Sequence, residues 1–284
     1  MIKLCAFIDE ASSDLQGQML AMKRNELDLI EVRNINGVNV ASFSLENAKE
    51  YQKVFEDNGV SAWSIGSPLG KVDINTSFDE YEKTVRHIFE IANIFKTDKV
   101  RAFSFFNAYG QREKVFEYLN KMVAIAKEYG VNLYHENEKE IYGDVCDRVL
   151  DIMENVDGLK YIYDPANFLQ VGDDADKTLT LLHGKTDYFH IKDVISATQE
   201  LVPAGYGDGK IDKLVSMINK DVVLTLEPHL AIFSGYANID NTEMKNKFTF
   251  SSNAEAFDTA VNSLKKILLD NGYKKQGYNY IKKA

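Results

Sequence analysis

The chain reads as an α/β protein folded as one (β/α)8 barrel over residues 1–284, and three observations point there. Strand-like and helix-like segments alternate eight times in 284 residues, roughly 35 residues per unit, with no linker between units. Helix-to-strand links are short and closed by glycine, whereas the links over 64–77, 194–210 and 228–253 are long. Four successive strand-like runs each end on one acidic or imidazole side chain, at Glu136, Asp164, His190 and Glu227. A doubly wound parallel sheet also alternates strand with helix, but the unit count favours the barrel.

The elements follow in order. Residues Ile2 to Ile8 predict the first strand and Ser13 to Arg24 a helix opened by Ser and Asp. Leu27 to Arg33 predicts the second strand, followed by an Asn36-Gly37 turn and a helix running from the N-cap Ser44 to Asn58, where Gly59 stops it. Val60 to Ile65 predicts the third strand, with GSPLGK as the loop after it and a helix from Ser77 to about Phe95. Lys99 to Phe106 predicts the fourth strand and Arg112 to Tyr129 its helix. Gly130, Gly158 and Gly184 each close a helix before strands five, six and seven, which begin at Val131, Leu159 and Thr186. Val222 to Glu227 is the eighth strand and Ala254 to Asn271 the final helix.

Composition narrows the function classes. Against 33 Lys and Arg stand 43 Asp and Glu, a net charge of −10, with no basic cluster except the C-terminal lysine pairs; a nucleic-acid partner is not expected. No run approaches 18 apolar residues and the N-terminus lacks a long apolar leader, so no membrane association and a cytoplasmic location are expected. The two cysteines, Cys5 and Cys146, are far apart and read as buried thiols. GYGDG from Gly205 follows no clear strand and reads as a loop rather than a phosphate cradle.

A barrel gives the four strand-end residues a common destination. Side chains at the C-terminal rims of strands five to eight converge on one mouth, so Glu136, Asp164, His190 and Glu227 meet although they lie 28, 26 and 37 residues apart. Three carboxylates and one imidazole suit a single divalent ion, Mn²⁺, Mg²⁺, Co²⁺ or Zn²⁺, with rim salt bridges as the alternative reading.

At these residues the chain resembles the xylose isomerase-like TIM-barrel family of sugar isomerases and epimerases. The resemblance rests on DEAS at Asp9, IEVRN at Ile30, IGSPLGK at Ile65, RAFSFF at Arg101, HENEKEIYGD, YDPANF, FHIKD and LEPHL, and spans nearly the whole chain. It implies one divalent metal held by Glu136, Asp164, His190 and Glu227. Family members include ketose 3-epimerases, aldose-ketose isomerases, inosose dehydratases and an abasic-site endonuclease. The endonuclease branch, which holds three zinc ions, carries a histidine three residues after the metal aspartate, as epimerases often do; here that position is Asn167.

The resemblance implies metal-dependent isomerisation or epimerisation of a sugar or sugar derivative through an enediolate, with Glu136 and Glu227 as acid and base on opposite faces. A dehydratase or lyase on the same site is the alternative reaction. A sugar-binding barrel without catalysis is the alternative class, disfavoured because binding needs no paired acid and base. Expected substrate contacts are Lys192, in phase with His190, together with Asn167, Lys71, His229, and Glu31 and Arg33 on strand two, which could instead pair with each other. Asp193, out of phase, and His135, behind the wall, read as supporting groups; His87, His183, Trp63 and the FSFF aromatics read as packing, with Phe105 or Phe106 a possible sugar floor. The 195–209 and 229–250 loops are expected to cover the mouth, with Gly205, Gly207, Gly209 and Gly235 as hinges. A homo-oligomer is compatible with all of this.

Overall fold

The computed structural model describes residues 1–233 and 245–282. Eight parallel strands form a closed ring: β1 (Ile2–Ala6), β2 (Leu29–Val32), β3 (Ser61–Leu69), β4 (Lys99–Ala102), β5 (Asn132–Glu136), β6 (Lys160–Tyr163), β7 (Tyr188–Ile191) and β8 (Val222–Leu226). Closure is made by β8 on β1, with Ile2 opposite Val222 and Ala6 opposite Leu226. Runs such as VVLTL in β8 and YFHI in β7 are buried throughout, because helices cover their outer face and side chains fill the inside.

Nine helices are described: α1 (Leu15–Arg24), α2 (Leu45–Asp57), α3 (Phe78–Ile94), α4 (Arg112–Glu128), α5 (Cys146–Asn155), α6 (Pro165–Gln170), α7 (Ala175–Leu182), α8 (Ile211–Ser216) and α9 (Asn253–Asp270). Local chemistry sets their starts. Asp14 accepts from the Gly17 amide and Ser44 from the Asn47 amide, satisfying N–H groups that a first turn leaves without partners. Ser77 stands at the N-cap of α3 but makes no side-chain capping bond. None of the described helices is long and apolar enough to cross a membrane.

Four sequence expectations change. The third strand runs on to Leu69 through the segment read as a loop; its register against β4 slips between Ile65 and Leu69, which accommodates Pro68. The fourth strand ends at Ala102 rather than Phe106. Gly59, Gly130 and Gly158 adopt the left-handed conformation after their helices, whereas Gly184 lies in a 3-10 turn, His183–Lys185, without positive φ. A C-terminal hairpin, β9 (Tyr273–Gln276) and β10 (Asn279–Lys282), went unread; β10 pairs antiparallel with the start of β1, Ile2 opposite Tyr280, below the point where β2 joins.

Both cysteines are buried free thiols. His87 in α3 bonds the Phe43 carbonyl, and His183 bonds that of Leu214 while packing on Phe189. Phe105 is core, edge-on to Tyr118, whereas Phe106 bridges Asp73 and Ile141 at the rim. Trp63 packs on Tyr188.

Gly70 occupies the close approach of the strand-three exit to Phe103. With φ 87°, its missing Cβ would lie 2.1 Å from the Phe103 carbonyl oxygen, while Gly59, at φ 67°, has open space there. Gly59→Ala should therefore cost only the left-handed penalty, roughly 1 kcal/mol. Gly70→Ala should cost more than about 3 kcal/mol, because backbone itself must move. Urea unfolding of the two variants checks this, and equal losses would contradict it.

Candidate metal centre and active site

Alternation along the strands aims one set of side chains into the barrel. Tyr134 and Tyr188 pack against each other inside, and Glu136 and His190, two residues further on, emerge above them at the rim. Phe7 and Tyr188 both approach the His190 ring edge-on. The structure brings Glu136, Asp164, His190 and Glu227 together as the sequence predicts: one ligand atom from each lies within 4.8 Å of the others, and all four residues are buried.

The surroundings orient these atoms. His190 Nδ1 is 2.7 Å from Glu136 Oε1 and 3.2 Å from Glu227 Oε2, while Nε2 is 3.0 Å from Glu31 Oε2. With Nε2 turned to Glu31, Nδ1 is the ring atom that faces the cluster. Asp164 caps α6: Oδ1 accepts from the Asn167 amide at 3.0 Å, with Pro165 following at the first helical position. Among the described residues its Oδ2 finds no hydrogen bond, nor does Glu227 Oε2, although both atoms are buried. Lys192 Nζ lies 3.0 Å from Asp164 Oδ2, an ion pair by distance without hydrogen-bond alignment. Two buried carboxylate oxygens left open beside an oriented imidazole nitrogen fit a divalent cation.

Charge bears out the same crowding. Burial pushes the Asp164 carboxyl up to about 7, helped by Glu136 and Glu227 and opposed by Lys192. Burial also resists ionisation of Glu227, but Lys192 and His190 outweigh it and hold that carboxyl well below the usual range. For His190, burial is outweighed by Glu136 and Glu31, which raise it well above an ordinary imidazole. Burial takes His229 down to about 4 and His135 to about 3, so both are neutral.

The remaining expected residues fall into place differently. Glu31 and Arg33 do not pair with each other. Glu31 is held by His190 and Tyr188, and Arg33 by Asp9, Glu10 and Glu227, and both side chains are buried. Asn167 donates to the Asn137 carbonyl at 2.8 Å, and its Oδ1 is left without a hydrogen bond. Lys71 reaches the mouth, pairing with Glu138 at 3.0 Å over the Phe103 ring. His229, at φ 47°, sits with Nε2 3.5 Å from Glu227 Oε1. His135 is fully buried and bonds Ser104 at 3.0 Å, outside the cluster as expected.

Sequence reasoning missed several members. Arg101 donates to Glu136 at 3.0 Å and lies 3.7 Å from Glu227; an arginine inside the apolar run KVRA was the available signal. Asn137 exchanges two bonds with the Asp164 backbone, both 2.9 Å, locking the end of β5 to that of β6. Asp9 and Glu10 end the first strand-like run by the same pattern that revealed the other four.

Asp193 is the clearest positioning group. Its carboxylate accepts from the backbone amides of Val194, Gly205, Gly207 and Gly209 at 2.8 to 3.1 Å. A Cβ on Gly207 would meet Asp193 Oδ1 at 2.4 Å, so the GYGDG loop wraps an internal anion. The hinge expectation for Gly205, Gly207 and Gly209 is corrected accordingly: these residues are pinned. Gly235 and half of the other expected covering loop, 234–244, lie outside the described residues.

The chain belongs to the xylose isomerase-like TIM-barrel family, whose model matches residues 21–267. Comparison with curated protein sequences gave no match. Among solved structures, it is similar to the probable 3-DHS dehydratase AsbF from Bacillus anthracis (15% identity, 93% of this chain and 99% of that chain, TM-score 0.71). A D-psicose 3-epimerase determined in the presence of D-fructose matches comparably (15% identity, 93% and 97%, TM-score 0.71). The IOLI protein with a bound zinc atom matches at 17% identity (95% and 97%, TM-score 0.67). At these identities the likeness establishes the barrel, while the chemistry must be argued from the rim.

Asp193→Ala should release the loop by removing charge-assisted bonds worth about 1.5–3 kcal/mol each at most. Hydrogen exchange at the Gly205, Gly207 and Gly209 amides should quicken at least tenfold, with metal affinity changing far less. Unchanged exchange would contradict the anchoring role.

Proposed function

We propose that this protein is a divalent-metal-dependent isomerase or epimerase of a sugar or sugar derivative, with Glu136 and Glu227 as the proton-transferring pair. The observation carrying this reading is the buried convergence of Glu136, Asp164, His190 and Glu227, with Asp164 Oδ2 and Glu227 Oε2 without a hydrogen bond among the described residues. A divalent ion bound there supplies polarisation of a substrate carbonyl and stabilises the enediolate left by proton removal. Epimerases and a dehydratase share the fold, which supports a polyhydroxylated substrate.

The side chains then divide the work. Glu136 and Glu227 come from strands on opposite sides of His190, so a substrate seated over the cluster meets a carboxylate on each face. One takes the proton next to the carbonyl and the other returns it, on the same carbon for epimerisation and on the neighbouring carbon for isomerisation. Arg101 Nη1 lies near both glutamates, 3.0 and 3.7 Å away, and brings a buried positive charge between them. Lys192, beside Asp164, is the cation best placed to bind a substrate oxygen or carry a proton to it. Burial of the whole group keeps water from the carbanion. Retention of two opposed glutamates argues against a barrel that only binds.

Three measurements test this. Elemental analysis should give one divalent ion per chain, and three zinc ions would exclude the reading. A screen of free ketoses, their phosphates and inososes with Mn²⁺ in D₂O should reveal solvent deuterium at the carbon next to a carbonyl; net loss of water from the substrate would instead indicate a dehydratase. Glu227→Gln should keep much of its metal yet lose at least roughly 10²-fold in turnover, without rescue by excess Mn²⁺, whereas Asp164→Asn should be partly rescued. Near wild-type rates for metal-saturated Glu227→Gln would reduce that residue to a ligand.

A further inference from the structure

Glu227 faces two cation positions. Its Oε2 lies on the His190 side, 3.2 Å from Nδ1, and its Oε1 accepts from Arg33 Nη1 at 2.8 Å. Around the Arg33 guanidinium stand Asp9, bonded twice at 2.9 and 3.1 Å, Glu10 at 3.1 Å and His229 Nε2 at 3.5 Å. With Glu227 these make three carboxylates and one imidazole, the donor set of the first cluster repeated, and Glu227 is common to both. Ligand atoms of Glu10, Glu227 and His229 by themselves lie within 4.8 Å of one another, all in buried residues. A cation is already seated among them, since the Arg33 side chain is 1% exposed. It is held between the Phe7 and Phe233 rings, 4.2 and 4.9 Å from their centroids.

We propose that Arg33 is a built-in cation standing in the position of a second divalent ion, so that the centre takes one metal and Glu227 bridges that metal to a guanidinium. The inference rests on the metal reading proposed above. A guanidinium cannot be deprotonated or exchanged, and its planar fork satisfies several carboxylates at once. It therefore closes the second position permanently. It also keeps Glu227 Oε1 engaged, which leaves Oε2 to face the metal and the substrate. Removal of the guanidinium takes away the cation that pairs with Asp9 and Glu10 and leaves Glu227 Oε1 only the more distant Arg101, at 3.7 Å, and a divalent ion is the species whose charge and preferred donors match that vacancy.

The test uses Mn²⁺ alone on the full chain. Wild type should bind one ion and give the six-line electron paramagnetic resonance pattern of isolated Mn²⁺. Arg33→Ala should bind two, with the spectrum of an exchange-coupled pair, since Glu227 would bridge the ions. Arg33→Met, which keeps the aliphatic stem between Phe7 and Phe233, should do the same. Arg33→Lys retains a cation and should stay at one. A second substitution, His229→Ala, should return Arg33→Ala to one. If the charge-deleted variants fold only in Mn²⁺, recovery with two ions per chain supports the inference and failure to recover counts against it. Two ions in wild type, or a single ion in folded Arg33→Ala and Arg33→Met, would overturn it. A wild type that binds no ion would defeat the proposed function instead, so the two failures are distinguishable.

Discussion

The exclusion of water from a crowd of carboxylates at one rim is the constraint on which this structure turns. Glu31, Glu136, Asp164 and Glu227 are buried around a single imidazole, with Asp9 and Glu10 directly behind. Each ionised group taken from water costs several kcal/mol unless it gains a partner. The chain answers with Arg33, Arg101, Lys192 and His190, every one of them buried and in contact with these acids. Two carboxylate oxygens keep no hydrogen bond among the described residues even after that pairing: Asp164 Oδ2, 3.0 Å from Lys192 Nζ, and Glu227 Oε2, 3.2 Å from His190 Nδ1.

Holding such a group together demands rigid supports, and the closed ring provides them. Strand ends deliver Glu136, His190 and Glu227 from β5, β7 and β8, whose positions are fixed by continuous parallel pairing. The last fraction of alignment is local. Asn137 clamps the Asp164 backbone, Asp164 caps α6 through its other oxygen, and Glu31 sets the His190 ring. Asp193, next to Lys192, pins a glycine-rich loop beside the mouth. Acidic side chains here do mechanical work as N–H acceptors as well as electrostatic work.

This division explains how one barrel is shared by a dehydratase, epimerases and the zinc-bound IOLI protein at 15–17% identity. Ring and helices need only apolar patterning and closure, which many sequences satisfy. The reaction depends on which atoms at the rim remain open, and a few side chains decide that.

The amino-acid sequence by itself determined the barrel and the four convergent residues. Regular strand-helix repetition is a local property of chain patterning, and strand ends of a parallel barrel must meet at one rim whichever residues they carry. Helix stops at Gly59, Gly130 and Gly158 were legible for the same reason, being set by backbone freedom at one residue. The pairing of charges was not legible. Glu31 and Arg33, two apart on one strand, read as natural partners, yet each finds stronger company across the barrel, in His190 and in Asp9, Glu10 and Glu227. Arg101, hidden in an apolar run, and the hairpin strand that pairs with the foot of β1 were decided in the same way. These contacts join residues far apart in sequence, up to 278 positions for Ile2 and Tyr280, and no local signal encodes which of several buried opposite charges will be nearest once the ring has closed. Only tertiary structure settles that choice, because burial makes every charge seek the best available partner in three dimensions rather than the closest one along the chain.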